Sequence, residues 1–212
     1  MLGRVVRSDA LSGRVGQRAW DSVRALLAPG TSILELGAGA GRLTRKLLEW
    51  GLSVTAVDNS AAMLAHVPGD AKRVLSDIEK LRLLEAFDTV LLASDLINHP
   101  SATARKSIAT TARHHLARGG QLLVERHDPD RLRNARVGVA TCVNGLQSSI
   151  EAVRCCEDEI EMTVRYDMDG QTWRQSFRAS LLSEAEIESL LTEVGFRSFE
   201  WFGEKRMWVR AA

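Results

Sequence analysis

Apolar positions fall into short unbroken runs separated by stretches of helical spacing. The runs are Thr31–Leu36, Ser53–Val57, Lys72–Leu75, Asp88–Ala93 and Gln121–Glu125. Near-continuous apolar strands are buried on both faces, as in a parallel sheet covered by helices. Between them, Arg42–Trp50, Ala61–His66 and Ala102–Leu116 read as helices, the last closed by Arg118-Gly119-Gly120. A leading amphipathic helix is predicted over Arg14–Ala28. Its stripe is Val15, Ala19, Val23, Leu26 and Leu27, and its stop is Pro29-Gly30.

The pattern changes after the fifth strand. From about Leu146 to Ala179 helical punctuation is missing and two or three strand-like runs take its place. Asp169-Gly170 separates Glu161–Asp167 from Gln171–Phe177, a hairpin signal because both turn positions accept positive φ. An antiparallel β-meander inserted over roughly 140–180 is therefore predicted, as a roof over a site or as a dimer contact. Arg165, Tyr166, Trp173, Gln175 and Phe177 are the groups with which it would face a pocket. The chain then returns to α/β. Ser183 and Glu186 form a capping-box pattern ahead of a helix over Ser183–Val194, and closing strands come near Arg197–Phe202 and Arg206–Arg210. The expected organisation is one α/β domain over residues 1–212, with a helical N-terminal segment over 1–30.

Composition narrows the class of protein. In 212 residues the formal charge is only +1, which exerts no strong pull toward nucleic acid or membrane. No apolar run reaches the roughly 18 residues of a membrane span, and Met1–Ala10 carries arginines without a signal-like apolar core. A cytoplasmic location is expected. Arg4, Arg7, Arg14, Arg18 and Arg24 make the first segment locally basic, as a solvated helix face or a contact for an anionic ligand. Cys142, Cys155 and Cys156 fit neither a disulfide framework nor a zinc spacing, and are expected to be buried reduced thiols. No metal site is expected.

The most informative stretch is Ile33-Leu34-Glu35-Leu36-Gly37-Ala38-Gly39-Ala40-Gly41-Arg42. A buried strand runs into three alternate glycines and then a helix start. Such a turn admits a ligand close to the backbone at the carboxyl end of the strand, where open α/β sheets place their sites. Asp58 ends the second strand seventeen positions after Gly41, where a carboxylate can accept from both hydroxyls of a ribose. These features alone fit NAD, FAD or S-adenosylmethionine. The spacing is GxGxG rather than the dinucleotide GxGxxG, which disfavours an oxidoreductase.

Taken together, these motifs resemble those of the class I S-adenosylmethionine-dependent methyltransferases. Glu35 to Gly41 is similar to their first motif, Val57-Asp58-Asn59-Ser60 with Met63-Leu64 to the second, and Ser76-Asp77-Ile78 to the third. Phe87-Asp88-Thr89-Val90 leading to Ala93-Ser94-Asp95 resembles the fourth. Leu116-Ala117-Arg118-Gly119-Gly120 resembles the turn before strand five, with arginine where proline is usual, and Leu182 to Phe196 resembles the late helix. The resemblance implies a Rossmann-like, mostly parallel seven-stranded sheet in the order 3-2-1-4-5-7-6. It also implies S-adenosylmethionine as donor, with Glu35, Gly37, Ala38, Gly39 and Gly41 at its methionine end and ribose and Asp58 on the ribose hydroxyls. Asn59, Met63, Asp77 and Ile78 would lie around the adenine, and Ser94 under the sulfonium. Read from the residues, Met63 is equally a core position and Asp77 equally a helix N-cap.

Methyl transfer needs an aligned nucleophile and, for some acceptors, a base. Strand four ends in Ser94-Asp95-Leu96-Ile97-Asn98-His99-Pro100 and strand five in Glu125-Arg126-His127-Asp128-Pro129. His127 is the first candidate base, then His99, with Asp95 close by; Arg126 is a candidate for orienting an acidic or phenolic acceptor. Each histidine is equally a loop or cap residue. His66, His114 and His115 are expected to be structural. Ser94-Asp95-Leu96-Ile97 lacks the proline pair and aromatic that nucleic-acid base methyltransferases carry there, so a small-molecule acceptor is expected, without nucleic acid or membrane and with room for a homodimer. The inserted meander looks like that of natural-product and amino-sugar methyltransferases. The alternatives are a methyltransferase acting on protein or RNA, and a non-catalytic donor-binding protein.

Overall fold

The first sheet is laid down by five parallel strands, β1 (Ser32–Leu36), β2 (Ser53–Asp58), β3 (Lys72–Leu75), β4 (Phe87–Leu92) and β5 (Leu116–Glu125). The computed structural model describes residues 17–93, 96–143 and 145–212. Helix α1 (Gln17–Ala25) precedes β1, and α2 (Arg42–Glu49), α3 (Ala61–Leu64) and α4 (Ala102–His114) connect the parallel strands. A short helix, α5 (Pro129–Arg133), leaves β5 and leads into four antiparallel strands. These are β6 (Ala140–Val143), β7 (Leu146–Cys156), β8 (Glu159–Met168) and β9 (Gln171–Ser180). Helix α6 (Glu184–Glu193) leads back to β10 (Phe199–Phe202) and β11 (Trp208–Ala211). The main sheet runs β3-β2-β1-β4-β5-β11-β10, which is the expected 3-2-1-4-5-7-6, and β11 lies antiparallel to both of its neighbours.

Side-chain alternation explains why both faces of this sheet are dry. Leu34, Leu36, Val90, Leu92, Leu122 and Val124 pack on one face beneath Ile108 of α4 and Ile187 and Leu191 of α6. Ile33, Leu91 and Leu123 point the other way, against Trp20 and Val23 of α1 and Leu43 and Leu47 of α2. Helix α4 starts where Ser101 accepts from Ala104 N. Helix α6 starts in the expected capping box, Ser183 N donating to Glu186 while Ser183 Oγ accepts from Glu186 N. Strand β5 is longer than its apolar core predicts. Leu116 already pairs with Phe87, and the register then jumps to Gln121 opposite Thr89, so that residues 117–120 bulge out.

The inserted sheet has one strand more than the sequence suggests, because β6 is too short and too exposed to carry a periodic signal. The hairpin at Asp169-Gly170 is as expected, with φ of 52° and 74°. Ile160, Met162 and Tyr166 face inward with their cross-strand partners Ala179, Phe177 and Trp173, and Val164 joins them over Leu132 of α5, whereas its partner Gln175 is exposed. Arg165 lies in the other set of alternating positions and pairs with Asp167 at 2.8 Å, which corrects its expected place among the inward-facing groups. The same outer face carries Arg174 on Glu151 through two hydrogen bonds of 2.7 and 3.0 Å. Burial pushes the Tyr166 phenol up to about 12, so it stays un-ionised at neutral pH. The three cysteines are free thiols as expected but exposed rather than buried, because they stand at the open edge and far end of this sheet.

Candidate active site

The glycine turn closes the carboxyl end of β1. Gly37, Gly39 and Gly41 have φ of 74°, 55° and 77°, values that side-chain-bearing residues rarely adopt. Gly37 and Gly41 are also pressed from outside. A Cβ at Gly37 would collide with Leu96, and one at Gly41 would meet the Val67 backbone at 3.1 Å. A Cβ at Gly39 would meet nothing within 4 Å, so the turn presents open space there. The turn's own amides are not offered outward as the sequence suggests. Gly37 N and Ala38 N both donate to Val57 O at 2.9 Å, Gly41 N to Ala38 O, and Gly39 N to Asp58 Oδ2 at 2.8 Å.

Asp58 is thereby held under the turn. Its Oδ1 accepts from Ser60 N at 2.8 Å and its Oδ2 from Gly39 N, one bond per oxygen. A carboxylate has about four acceptor positions, so each oxygen retains capacity for one more donor. The next strand edge brings Asn59 and Asp77 together, Asn59 Nδ2 donating to Asp77 Oδ1 at 3.3 Å. Asp77 stands at the N-cap of a 3₁₀ turn over Ile78–Lys80 without making the cap bond; Lys80 Nζ and Asn59 occupy it instead and hold its carboxyl below the usual range. Met63 is half-buried, its amide bonded to Ser60 Oγ. Glu35 points into the α2 side, 2% exposed, and accepts from Thr44 Oγ1 at 2.6 Å. Arg45 completes the turn, donating to the carbonyls of Ala40, Gly41 and His66. Thr44 and Arg45 are positions the sequence reading missed; a threonine on the buried face of α2 was the available signal.

At the ends of β4 and β5 the side chains take unequal roles. Ser94 and Asp95 lie outside the described residues. His127 is braced on both sides: its amide donates to Asn98 Oδ1 at 2.9 Å, and Asp128 caps α5 by accepting from Asp130 N and Arg131 N. The ring sits 6.1 Å from that of Phe177 on β9. Burial, with the nearby Arg131 charge, pushes its pKa down to about 4, so the imidazole is neutral at physiological pH. His99 is exposed, its Nδ1 accepting from Ser101 N at 3.1 Å at the start of α4. That is a loop role, since the cap of α4 is Ser101. Arg126 does not reach toward an acceptor: it is 6% exposed, donates to the carbonyls of Arg206 and Leu182 and to Glu184, and lies 4.8 Å over the Trp201 ring. Asn98 is the third position missed. It is 2% exposed and donates to Ser180 O at 2.7 Å, which ties β4, β5 and β9 together. His115 is structural as expected, held by Thr111 O and Leu83 N.

A methyltransferase-domain family model matches residues 33–120, the span from β1 through the turn before β5. Over that span the chain is similar to methyltransferase domains. The fold agrees over nearly the whole chain. An S-adenosylmethionine-dependent methyltransferase from Clostridium acetobutylicum superposes with a TM-score of 0.74 at 17% identity, covering 96% of this chain and 93% of its own. The sugar N-methyltransferase KedS8 from Streptoalloteichus gives 0.75 at 18%, covering 99% and 96%. CalS10, an amino pentose methyltransferase from Micromonospora echinaspora involved in calicheamicin biosynthesis, gives 0.73 at 20%, covering 91% and 87%. No curated protein matches the chain in sequence. No cluster of metal-ligating side chains occurs among the described residues, and no described helix is long and apolar enough to cross a membrane.

The buried carboxyl behind this glycine turn supplies a stability prediction. Burial raises Glu35 from 4.5 to about 7, against the Thr44 bond and the Arg42 charge, which lower it. A group whose folded pKa is raised contributes stability below its unfolded pKa and loses it as pH rises through the folded one. The fold should therefore weaken from about pH 4.5 to above 7 on account of Glu35. Glu35→Gln keeps an acceptor for Thr44 without the charge. Urea midpoints should then show the variant roughly 1–3 kcal/mol more stable than wild type at pH 8 and close to it at pH 5. Equal stability differences at both values would show that Glu35 does not titrate in this window.

Proposed function

We propose that the chain transfers a methyl group from S-adenosylmethionine to an oxygen, nitrogen or carbon nucleophile of a small organic molecule, leaving S-adenosylhomocysteine. The observation that carries this reading is Asp58 fixed under the open side of the glycine turn, with acceptor capacity left on both oxygens. Gly37, Ala38, Gly39 and Gly41 would surround the methionine end and ribose, Asp58 would accept from the ribose hydroxyls, and Asn59, Met63, Asp77 and Ile78 would border the adenine. Glu35, buried behind the turn, would act on the donor's ammonium through its field. When bound, the donor supplies an electrophilic methyl on sulfonium with a good leaving group. The protein's remaining work is to align the acceptor and exclude water, which in favourable geometry is worth about 7–11 kcal/mol.

The inserted sheet supports a small acceptor. Its inner face carries Phe177 against His127, just past the carboxyl end of β5, which supports the roof reading, while the outer face carries ion pairs. The solved relatives that methylate a sugar and an amino pentose point the same way, as does the formal charge of +1. The neutral imidazole of His127, beside Phe177, supports its role as the base that would take a proton from the acceptor. His127→Ala should bind S-adenosylhomocysteine within about twofold of wild type while turnover falls at least tenfold, the lower end of what a general base contributes. Because its pKa is about 4, kcat/KM should stay flat from pH 6 to 8 and decline only in more acidic solution. Unchanged turnover in the variant would remove His127 from the chemistry. A radiolabelled methyl-transfer screen over small metabolites, peptides and RNA tests the acceptor class; label transferred only to peptide or RNA would refute it.

A further inference from the structure

A cavity of about 420 Å³ lies between α5 and the inner face of the inserted sheet, in the size range of small-molecule sites. Its walls are largely apolar, built by Leu132 of α5 with Ile150, Met162 and Val164 of the sheet. It adjoins the candidate base. Met162 lines the cavity, and its cross-strand partner Phe177 is the residue whose ring faces His127. Cross-strand neighbours stand only about 5 Å apart, so the Met162–Phe177 pair is what separates the cavity from the imidazole.

The polar groups on the rim are unequally committed. Lys205 is paired with Asp128, and Asp130 faces Arg133 at 3.9 Å. The exposed guanidinium of Arg131 has no carboxylate partner among the described residues, yet it lines the cavity one helical turn after His127. An unpaired guanidinium with planar donors, beside an apolar enclosure, is suited to a carboxylate or phosphate on an otherwise apolar molecule.

We propose that this cavity is the acceptor pocket, and that the acceptor has an apolar body and one anionic group, a carboxylate or a phosphate, which Arg131 receives. The proposal rests on the methyl-transfer reading above. It carries a consequence for the base. Arg131 is one of the two influences that depress the His127 basicity, so an anion on Arg131 offsets part of that depression and makes His127 a better proton acceptor when the pocket is filled.

Ligand-observed NMR on the full chain, in the presence of S-adenosylhomocysteine, tests this with 4-phenylbutyrate and phenyl phosphate as probes and 4-phenylbutanol as the neutral control. At least one acid should bind at least tenfold more tightly than the alcohol, and the stronger acid identifies the anion. Arg131→Gln, at an exposed position, should erase that preference, and Ile150→Trp should weaken all three probes tenfold or more by filling the cavity. Equal binding of acids and alcohol, no binding of any probe, or a preference that survives Arg131→Gln would overturn the proposal. A parallel titration of S-adenosylhomocysteine separates the two readings. If that product binds and the probes behave alike, the pocket assignment fails alone; if it does not bind, the methyl-transfer reading fails first.

Discussion

Asp58→Ala is expected to weaken binding of S-adenosylhomocysteine by two to three orders of magnitude. Hydrogen bonds to a charged group contribute about 1.5–3 kcal/mol each, and two ribose hydroxyls would lose their acceptor together. The variant also frees Gly39 N and Ser60 N, so the turn keeps only the backbone bonds of Gly37 N and Ala38 N to the end of β2. Asp58→Asn keeps the shape and one carbonyl oxygen, and should fall between, roughly tenfold or more below wild type. Circular dichroism and thermal melts establish that each variant is folded at the temperature of the titration. An alanine variant that binds within threefold of wild type would mean that the adenosyl group sits elsewhere.

The second large effect is on stability. Asn98→Ala removes both bonds of a buried amide that donates to Ser180 O and accepts from His127 N. Each stranded partner costs about 1–3 kcal/mol, so a loss of roughly 2–4 kcal/mol is expected. For a chain of this size that corresponds to a fall in Tm on the order of 5–15 °C. The same bonds position the loop that carries His127, so turnover should fall by more than donor affinity does. A melt within 2 °C of wild type would show that Asn98 is not the brace that joins the two sheets.

The reasons that some features were legible in the sequence and others were not are physical. The strands of the main sheet are buried on both faces, so β1, β2 and β4 announce themselves as apolar runs, and their order comes from the resemblance. The glycine turn and Asp58 were legible because positive φ and close packing leave glycine little competition at Gly37 and Gly41. The Ser183 and Asp169-Gly170 signals are local, and both elements formed where expected. The features that stayed hidden depend on partners distant in sequence. Arg126 looks like a free cation at the end of β5 until Leu182, Glu184 and Arg206 close around it. Asn98 acquires its role from Ser180, and His99 turns to accept from Ser101 N ahead of α4, although the two residues are adjacent. Strand β6 went unread because an edge strand shows neither alternation nor burial in its composition.

Calorimetric titration of the purified chain with S-adenosylhomocysteine, with NADH as the control, puts the donor site to its most direct test. The glycine turn and Asp58 predict saturable, one-site binding of the thioether product and no binding of the dinucleotide. Binding of NADH, or the absence of any binding by S-adenosylhomocysteine, would contradict the account.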